Sequence, residues 1–393
     1  MDSSSGGDVS LFAVGDVMLA RRVGERITEN DVGFPFLHVA GLMSAGDIRF
    51  GNLESPLARC GTPKRVPPRD PLFRGVPEAA QGLKEAGFDV ISLANNHVFD
   101  YGEPAFRETL AALRGIGIRT VGAGLNIGEA LEPAILRVCG NRVAFQAFCN
   151  AQAATATSPG TAPLEMDVAG QTIRDARRKA DWVVVAFHQG LEYSDYPSSG
   201  IIAAAHQMID AGADVVIGHH AHVLQGIERY AGGLIAYSLG NFVFDHHDAD
   251  LKQKALARSA MVRVGGCAVN LEDNRMAESV ILRIVLSSER PPSYVAYPVY
   301  INEHYQPVLM EQADAGRLLK RLNTLSASLP DTGSTQVRAV DSILLRDRIQ
   351  KLWQSPSGIV RVRPRHLKRL WRLLLRRGRD RSHTRSVRRL PRG

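Results

Sequence analysis

The chain is punctuated by short apolar runs that stop abruptly at polar residues. VSLFAVG (9–15) stops at Asp16, DIRFGNLE (47–54) closes on Asn52 and Glu54, and FDVISLANNH (88–97) closes on Asn95, Asn96 and His97. DWVVVAFHQG (181–190) and ADVVIGHHAH (213–222) repeat the form with histidines. Runs this short and this continuously apolar read as strands buried on both faces. Between them, 76–87, 103–115, 170–180 and 200–212 carry helical spacing, and IRTVGAG follows the second of these. Alternation of this kind predicts an α/β layered fold with helices covering a largely buried sheet. After 223 the segments VLQGIERY, LIAYSLGNF, ARSAMVRVG, ESVILRIVL and YVAYPVYI are strand-like, and predict either more strands in that sheet or a second one. Helical patterns at 311–328 and 338–352 follow. The proline-rich 65–77 and the small, polar 150–163 read as surface loops.

Charge changes the picture only once it is divided. The 393 residues hold 48 Lys and Arg against 40 Asp and Glu, a net +8. Fourteen of the bases and one of the acids lie in 361–393, which leaves 34 and 39 elsewhere, a net −5. The basic character is thus a property of the tail, which argues against a globally nucleic-acid-binding protein. Within the tail, RHLKRLWRLLLRRGR (365–379) puts Leu367, Leu370, Trp371 and Leu374 on one face if helical. Such a segment suits an anionic lipid surface, an acidic polymer or nucleic acid, or is simply a basic disordered end. No apolar run approaches the ~20 residues of a membrane span, and the N-terminus lacks a basic, signal-like start. The expectation is a protein of the cytoplasm or of a membrane surface. Cys60, Cys139, Cys149 and Cys267 show no CxxC spacing, which argues against a thiolate zinc site and fits free thiols.

The chemistry sits at the strand ends. Asp16, Asn52, Glu54, Asn95, Asn96, His97, His188, His219, His220 and His222 all follow predicted strands. In α/β sheets that edge is where ligands bind. Taken singly, Asp16 could cap a turn, Asn95–His97 could be an Asn-rich turn and His188 could be a packed histidine. Three histidines in four positions after a buried strand are harder to explain that way, and five strands delivering such residues to one edge predict a shared polar site. A mixed oxygen and nitrogen set suits a borderline divalent metal, and two ions ~3.5–4 Å apart can clamp a phosphoryl oxygen. His246-His247, with Asp245 and Asp248, reads as a solvated loop.

With these motifs placed, the chain resembles the CapA family of capsule and poly-γ-glutamate synthesis proteins. The matching runs are GDVMLAR (15–21), GNLESPL (51–57), GFDVISLANNHVFDYG (87–102), VGAG (121–124), HQGLEYSDYPS (188–198), GADVVIGHHAHVLQGIE (212–228) and YSLGNFVFD (237–245). The family looks like a branch of the calcineurin-like metallophosphoesterases. The resemblance implies a four-layer α/β/β/α sandwich over 8–300, with a helical extension over 301–360 and the basic tail over 361–393 beyond it. It implies a metal set of Asp16, Asn52, Glu54, Asn96, His188, His220 and His222, with His97 as general acid and Asn95 and His219 toward substrate. The implied cofactor is one or two divalent ions of Mn, Fe or Zn.

Two departures matter. Met18 stands where the wider superfamily has a ligand histidine, and neutral Asn52 stands where it has a bridging aspartate. Glu54 is the nearest carboxylate that could substitute. The resemblance therefore implies capsule or poly-γ-glutamate biosynthesis in one of two forms. One is a metal-dependent hydrolase of a phosphoester or γ-glutamyl polymer. The other is an accessory protein that binds or exports an anionic polymer without turnover, beside a capsule-synthesis ligase and membrane components.

Overall fold

In the computed structural model, which describes residues 6–66, 70–245, 275–329 and 341, the apolar runs assemble into two mixed sheets. The first is built on β1 (Val9–Val17), β2 (Ile48–Leu53), β3 (Val90–Ser92) and β4 (Arg119–Val121), all parallel neighbours in that order. The small antiparallel pair β5 (Ala123–Gly124) and β8 (Gly160–Thr161) stands apart from both sheets. The second sheet joins β6 (Ala134–Val138), β7 (Asn141–Phe148), β9 (Trp182–His188), β10 (Val215–His219), β11 (Ile227–Tyr230) and β12 (Gly233–Ala236). The late strands divide between the sheets. β11 and β12 complete the second, while β13 (Asn241–Val243), β14 (Glu278–Ser287), β15 (Arg290–Ile301) and β16 (Pro307–Leu309) join the first. Both alternatives read from the sequence are thus realised.

Period-two alternation sends each strand's side chains to two different cores. In β1, Leu11 and Ala13 face the second sheet, where Phe50 stacks on Phe145 with ring centres 5.7 Å apart. Phe12 and Val14 face the other way, toward helices α1 (Arg21–Glu29), α3 (Ala79–Glu85) and α4 (Gly102–Gly115); a short helix α2 (Ala40–Met43) adds Met43 to the same core. β9 repeats the division, with Val184 and Ala186 between the sheets and Val183, Val185 and Phe187 against α6 (Met166–Arg177) and α7 (Ser199–Asp210). Both faces are covered, so these strands read as unbroken apolar runs. In α4 the buried residues Ala105, Phe106, Thr109, Leu110 and Leu113 make the helical stripe. α7 starts where the Ser198 hydroxyl accepts from the Ile201 N–H. Asn126 caps α5 (Ile127–Leu131) in the same way. The last described helix, α8 (Gln312–Ala327), buries Leu318 and Leu322 in the inter-sheet core.

The sequence reading missed α1, α2, α5, the hairpin β6–β7, the pair β5–β8 and β16. The segment ARSAMVRVG, all of the helical pattern 338–352 except Asp341, His246-His247, Cys267 and the basic tail lie outside the described residues. Cys60 and Cys139 are exposed free thiols and Cys149 is buried. Among the described residues no helix is long and apolar enough to cross a membrane. Asp245, expected in a solvated loop, is instead fully buried and pairs with Arg21 at 3.1 Å. The apolar run LGNFVF places it inside the fold.

The topology around β1 brings the site together. β14 pairs with Val9–Ala13, and at Asp16 the neighbour becomes β13, in register with Asn241. The exchange requires close backbone approach: the Asp16 N–H donates to Gly240 O at 3.0 Å, and a Cβ on Gly15 would collide with that same carbonyl. Gly15→Ala should lower unfolding stability by about 1–3 kcal/mol. Urea denaturation checks this, and a midpoint equal to wild type would contradict the packing.

Candidate metal centre

Register alignment delivers the candidate residues to one place. Asp16 lies beside Asn52 in the first sheet and His188 beside His219 in the second. The strand ends of both sheets open onto the same buried cluster. Asp16, Asn52, Glu54 and Asn95 have no solvent exposure, and His97, His188, His219 and His222 are buried. His220 and His222 both take left-handed backbone, φ +87° and +57°. Non-glycine residues hold that conformation only where surroundings impose it, which is common at functional sites.

Glu54 is the centre of the cluster. Its Oε1 lies 3.4 Å from His188 Nε2, 3.7 Å from His222 Nε2 and 4.0 Å from His97 Nε2. Neither carboxylate oxygen of Glu54 accepts a hydrogen bond among the described residues. A buried carboxylate in that condition is costly unless a cation or a proton joins it. Two groups of ligand atoms lie within 4.8 Å of one another, Asp16–Glu54–His188 and Glu54–His220–His222, and Glu54 belongs to both. These buried groups can hold metal ions.

Asn52 behaves differently. Its Nδ2 donates to Asp16 Oδ1 at 2.9 Å and to His188 Nδ1 at 3.2 Å, and its Oδ1 accepts from Asn95 Nδ2 at 3.1 Å. Asn95 is equally committed: Nδ2 also donates to Leu53 O, and Oδ1 accepts from the N–H groups of His97 and Val98. Asn95 and His219 are buried and do not line the neighbouring cavity. His219 Nδ1 is 3.1 Å from Asp16 Oδ1. Asn96 Oδ1 reaches His188 Nε2 at 2.8 Å, and His220 Nδ1 reaches the same nitrogen at 3.1 Å.

Electrostatics follow from burial. Burial pushes the Glu54 carboxyl up to about 8 and drives His188 and His220 down to about 3. At Asp16 burial acts upward, but the close His219 and His222 imidazoles outweigh it and hold the carboxyl well below its usual range. At His222 burial acts downward, but the Glu54 charge and the Asp16 hydrogen bond carry the imidazole to about 10. Both shifts run upward, so each group of the Glu54–His222 pair favours its protonated form more than it would in water. A divalent ion would compete with those protons.

Several contributors were not singled out in the sequence reading. Asp100 is fully buried; its Oδ2 accepts from His97 Nδ1 at 2.7 Å and its Oδ1 meets Lys64 Nζ at 2.5 Å. That arrangement leaves His97 Nε2 turned toward Glu54. Phe73 covers the His97 ring at 4.2 Å, and its N–H also donates to Asp100. Asn241 Oδ1 accepts from His222 Nδ1 at 2.9 Å, which aims Nε2 at Glu54. The i, i+3 spacing of His97 and Asp100 was the available clue. The neighbouring cavity, of about 210 Å³, is lined by Lys64, Phe73, Asn96, His97, Tyr193 and His222 with their neighbours. A larger groove, about 680 Å³, runs past Arg119 and Ile135 and touches none of the candidate residues.

Residues 10–246 match the family described as bacterial capsule synthesis protein PGA_cap. The chain belongs to that family. Among curated relatives of this PGA_cap member, the capsule biosynthesis protein CapA of Bacillus anthracis is 36% identical over 259 residues, covering 64% of this chain and 63% of the relative. The PGA biosynthesis protein CapA of Bacillus subtilis (strain 168) is 34% identical over 263 residues, covering 65% and 69%. A probable polyglutamine synthesis accessory protein of Mycobacterium tuberculosis is 32% identical over 254 residues, covering 60% and 66%. The chain thus spans about two thirds of the length of these PGA_cap relatives. A solved hypothetical protein from Thermus thermophilus aligns over 74% of this chain and 98% of its own, at TM-score 0.45 and 22% identity.

Asn52 gives a direct check on this geometry in a PGA_cap protein. Asn52→Asp sets a second carboxylate against Asp16 in a dry site, and should destabilise the metal-free protein by about 3 kcal/mol or more. Added Mn²⁺ should restore most of that loss. Thermal unfolding with chelator and with Mn²⁺ measures both, and equal melting temperatures in chelator would contradict the placement.

Proposed function

We propose that the protein acts in the biosynthesis of an anionic capsular polymer, poly-γ-glutamate or a chemical relative, as a metal-dependent hydrolase. The carrying observation is Glu54: a fully buried carboxylate, both oxygens without a hydrogen bond among the described residues, shared by two groups of metal-ligand atoms. In this reading Glu54 takes the bridging position that Asn52 cannot fill, because the Asn52 amide is spent on hydrogen bonds to Asp16, His188 and Asn95. Asp16 and His188 would hold one ion and His220 and His222 the other, with Asn96 beside His188. The arrangement of sheets and helices supports the four-layer sandwich of metallo-dependent phosphatases over 8–300.

When bound, the ions would supply Lewis-acid polarisation of the scissile phosphoryl or carbonyl oxygen and make water a competent nucleophile. The chain's own part is to hold and move protons. Asp100 accepts from His97 Nδ1 and so fixes the ring with Nε2 toward the site; as the imidazolium, balanced by the Asp100 charge, His97 would carry a second proton on Nε2 to give to a leaving group. Phe73 restricts the His97 ring and excludes water from its face. Asn241 performs the same orienting task for His222. Asn95 and His219, which do not line the cavity, act on substrate only through the groups they position.

An accessory role without turnover has its own support, the neutral amide of Asn52 where hydrolases of this kind carry a carboxylate. In that role the cavity and the basic tail would bind polymer or anionic lipid beside the synthetic ligase.

Two measurements test the proposal. Elemental analysis should find about two equivalents of Mn, Fe or Zn in wild type, and Glu54→Gln should lose at least one. Calorimetry near pH 7 in buffers of different ionisation enthalpy should show proton release on metal binding. Retention of two ions by Glu54→Gln would remove the shared ligand. For turnover, the metal-loaded protein should shorten poly-γ-glutamate or cleave a nitrophenyl phosphodiester, and His97→Ala should slow this by about 10²–10⁴ with metal content unchanged. Polymer retention with no product from either substrate would favour the accessory role.

A further inference from the structure

The family match ends at residue 246, yet side chains beyond it hold the loop that supplies two residues of the cavity wall. The loop 189–198 leaves β9 directly after His188 and carries Glu192 and Tyr193 to that cavity. Tyr193 is buried with φ +61°, and its N–H donates at 2.7 Å to Ala221 O, the carbonyl between His220 and His222. Gln225 Nε2 donates to Ser194 O at 2.7 Å. The next residue, Asp195, is held from the C-terminal side: Arg321 Nη2 meets its Oδ1 at 2.7 Å and Arg275 Nη1 its Oδ2 at 2.6 Å. Arg321 Nη1 continues to Glu278 Oε2 at 2.9 Å, and Arg317 takes the other Glu278 oxygen at 2.7 Å. Just before Glu278, Met276 accepts from Asn241 Nδ2 through its carbonyl and packs with Tyr193, Ala221 and Val223.

We infer that Arg321, on α8, is a positioning residue for the candidate metal centre, acting through Asp195 on the loop that holds the His220–His222 turn. It rests on the proposed metal site only for its effect on metal affinity. The guanidinium forks between two carboxylates in a half-buried setting, where planar two-point pairing fixes geometry better than a single charge contact. Without it, Asp195 loses one of its two arginine partners, and the left-handed Tyr193 loses part of what holds it. The Tyr193–Ala221 hydrogen bond then opens more often, and His222 loses its fixed aim toward Glu54. Residues outside the family match would thereby set the affinity of the His220–His222 half of the site.

Hydrogen exchange on the full-length, metal-free chain tests this, comparing wild type, Arg321→Met, Arg321→Lys and Arg317→Met. Peptides covering 189–198 and 219–223 should exchange about tenfold faster in Arg321→Met, with peptides of β2 and β3 unchanged. Arg317→Met, which removes a Glu278 contact but none to Asp195, should match wild type. Arg321→Lys should recover part of the protection. In parallel, Mn²⁺ titration should show about tenfold weaker binding for Arg321→Met, partly restored in Arg321→Lys. Unchanged exchange in the loop, uniform acceleration along the chain, or an equal effect of Arg317→Met would overturn the inference. Wild type that takes up no Mn²⁺ would defeat the metal reading instead, and the exchange comparison would still decide the role of Arg321.

Discussion

Two carboxylates without solvent, Asp16 and Glu54, set the terms for everything around them. An ionised carboxylate in a dry interior is tolerated only with partners that balance its charge. Asp16 has them: Asn52, His219, His222 and the His220 N–H converge on its oxygens. Glu54 has imidazoles nearby but, among the described residues, no hydrogen bond. The difference divides the site into a finished half, which is structural, and an unfinished half, which is chemical. The hydrophobic sheets enforce the division, because their apolar runs exclude the water that would otherwise satisfy Glu54.

Orientation is then the second constraint. Each of three histidines facing Glu54 has its other nitrogen occupied: Asp100 for His97, Asn241 for His222 and Asn52 for His188. These partners come from three different strands or their following loops. The strained backbone at His220 and His222 has the same purpose, since a relaxed turn would not aim both rings inward. Strain of this kind persists only when neighbours over-determine it, and the Tyr193 contact and β13 do so.

How much of this was legible follows from the physics of each signal. Buried parallel strands announce themselves as short apolar runs, so the ends of β1, β2, β3, β9 and β10 and their ten polar residues could be read directly. The β6–β7 hairpin could not, because β6 is only partly buried and β7, although buried at all positions but Arg142, carries Arg142 and Gln146 within its apolar run. Asn52 was visible as a departure, but only its geometry tells that the amide is fully committed. Asn241 and Arg321 owe their importance to partners that register and packing bring near, and local sequence carries no trace of such pairings; Asp100 left only its i, i+3 spacing from His97. Asp245 was misplaced because its neighbours looked like a loop, whereas the preceding Phe242, Val243 and Phe244 are core.

The order in which the chain is made adds a consequence of the β1–β14 pairing. Val9 finds its partner in Leu286, 277 residues later. At ribosomal rates of about 5–20 residues per second, roughly 14–55 s pass before that partner exists. Throughout that time β1 has one open flank, the kind of bare edge that recruits foreign strands. The cell must shelter the nascent N-terminal half, and the strand ends that carry the candidate ligands stand beside an open flank until β14 has been made.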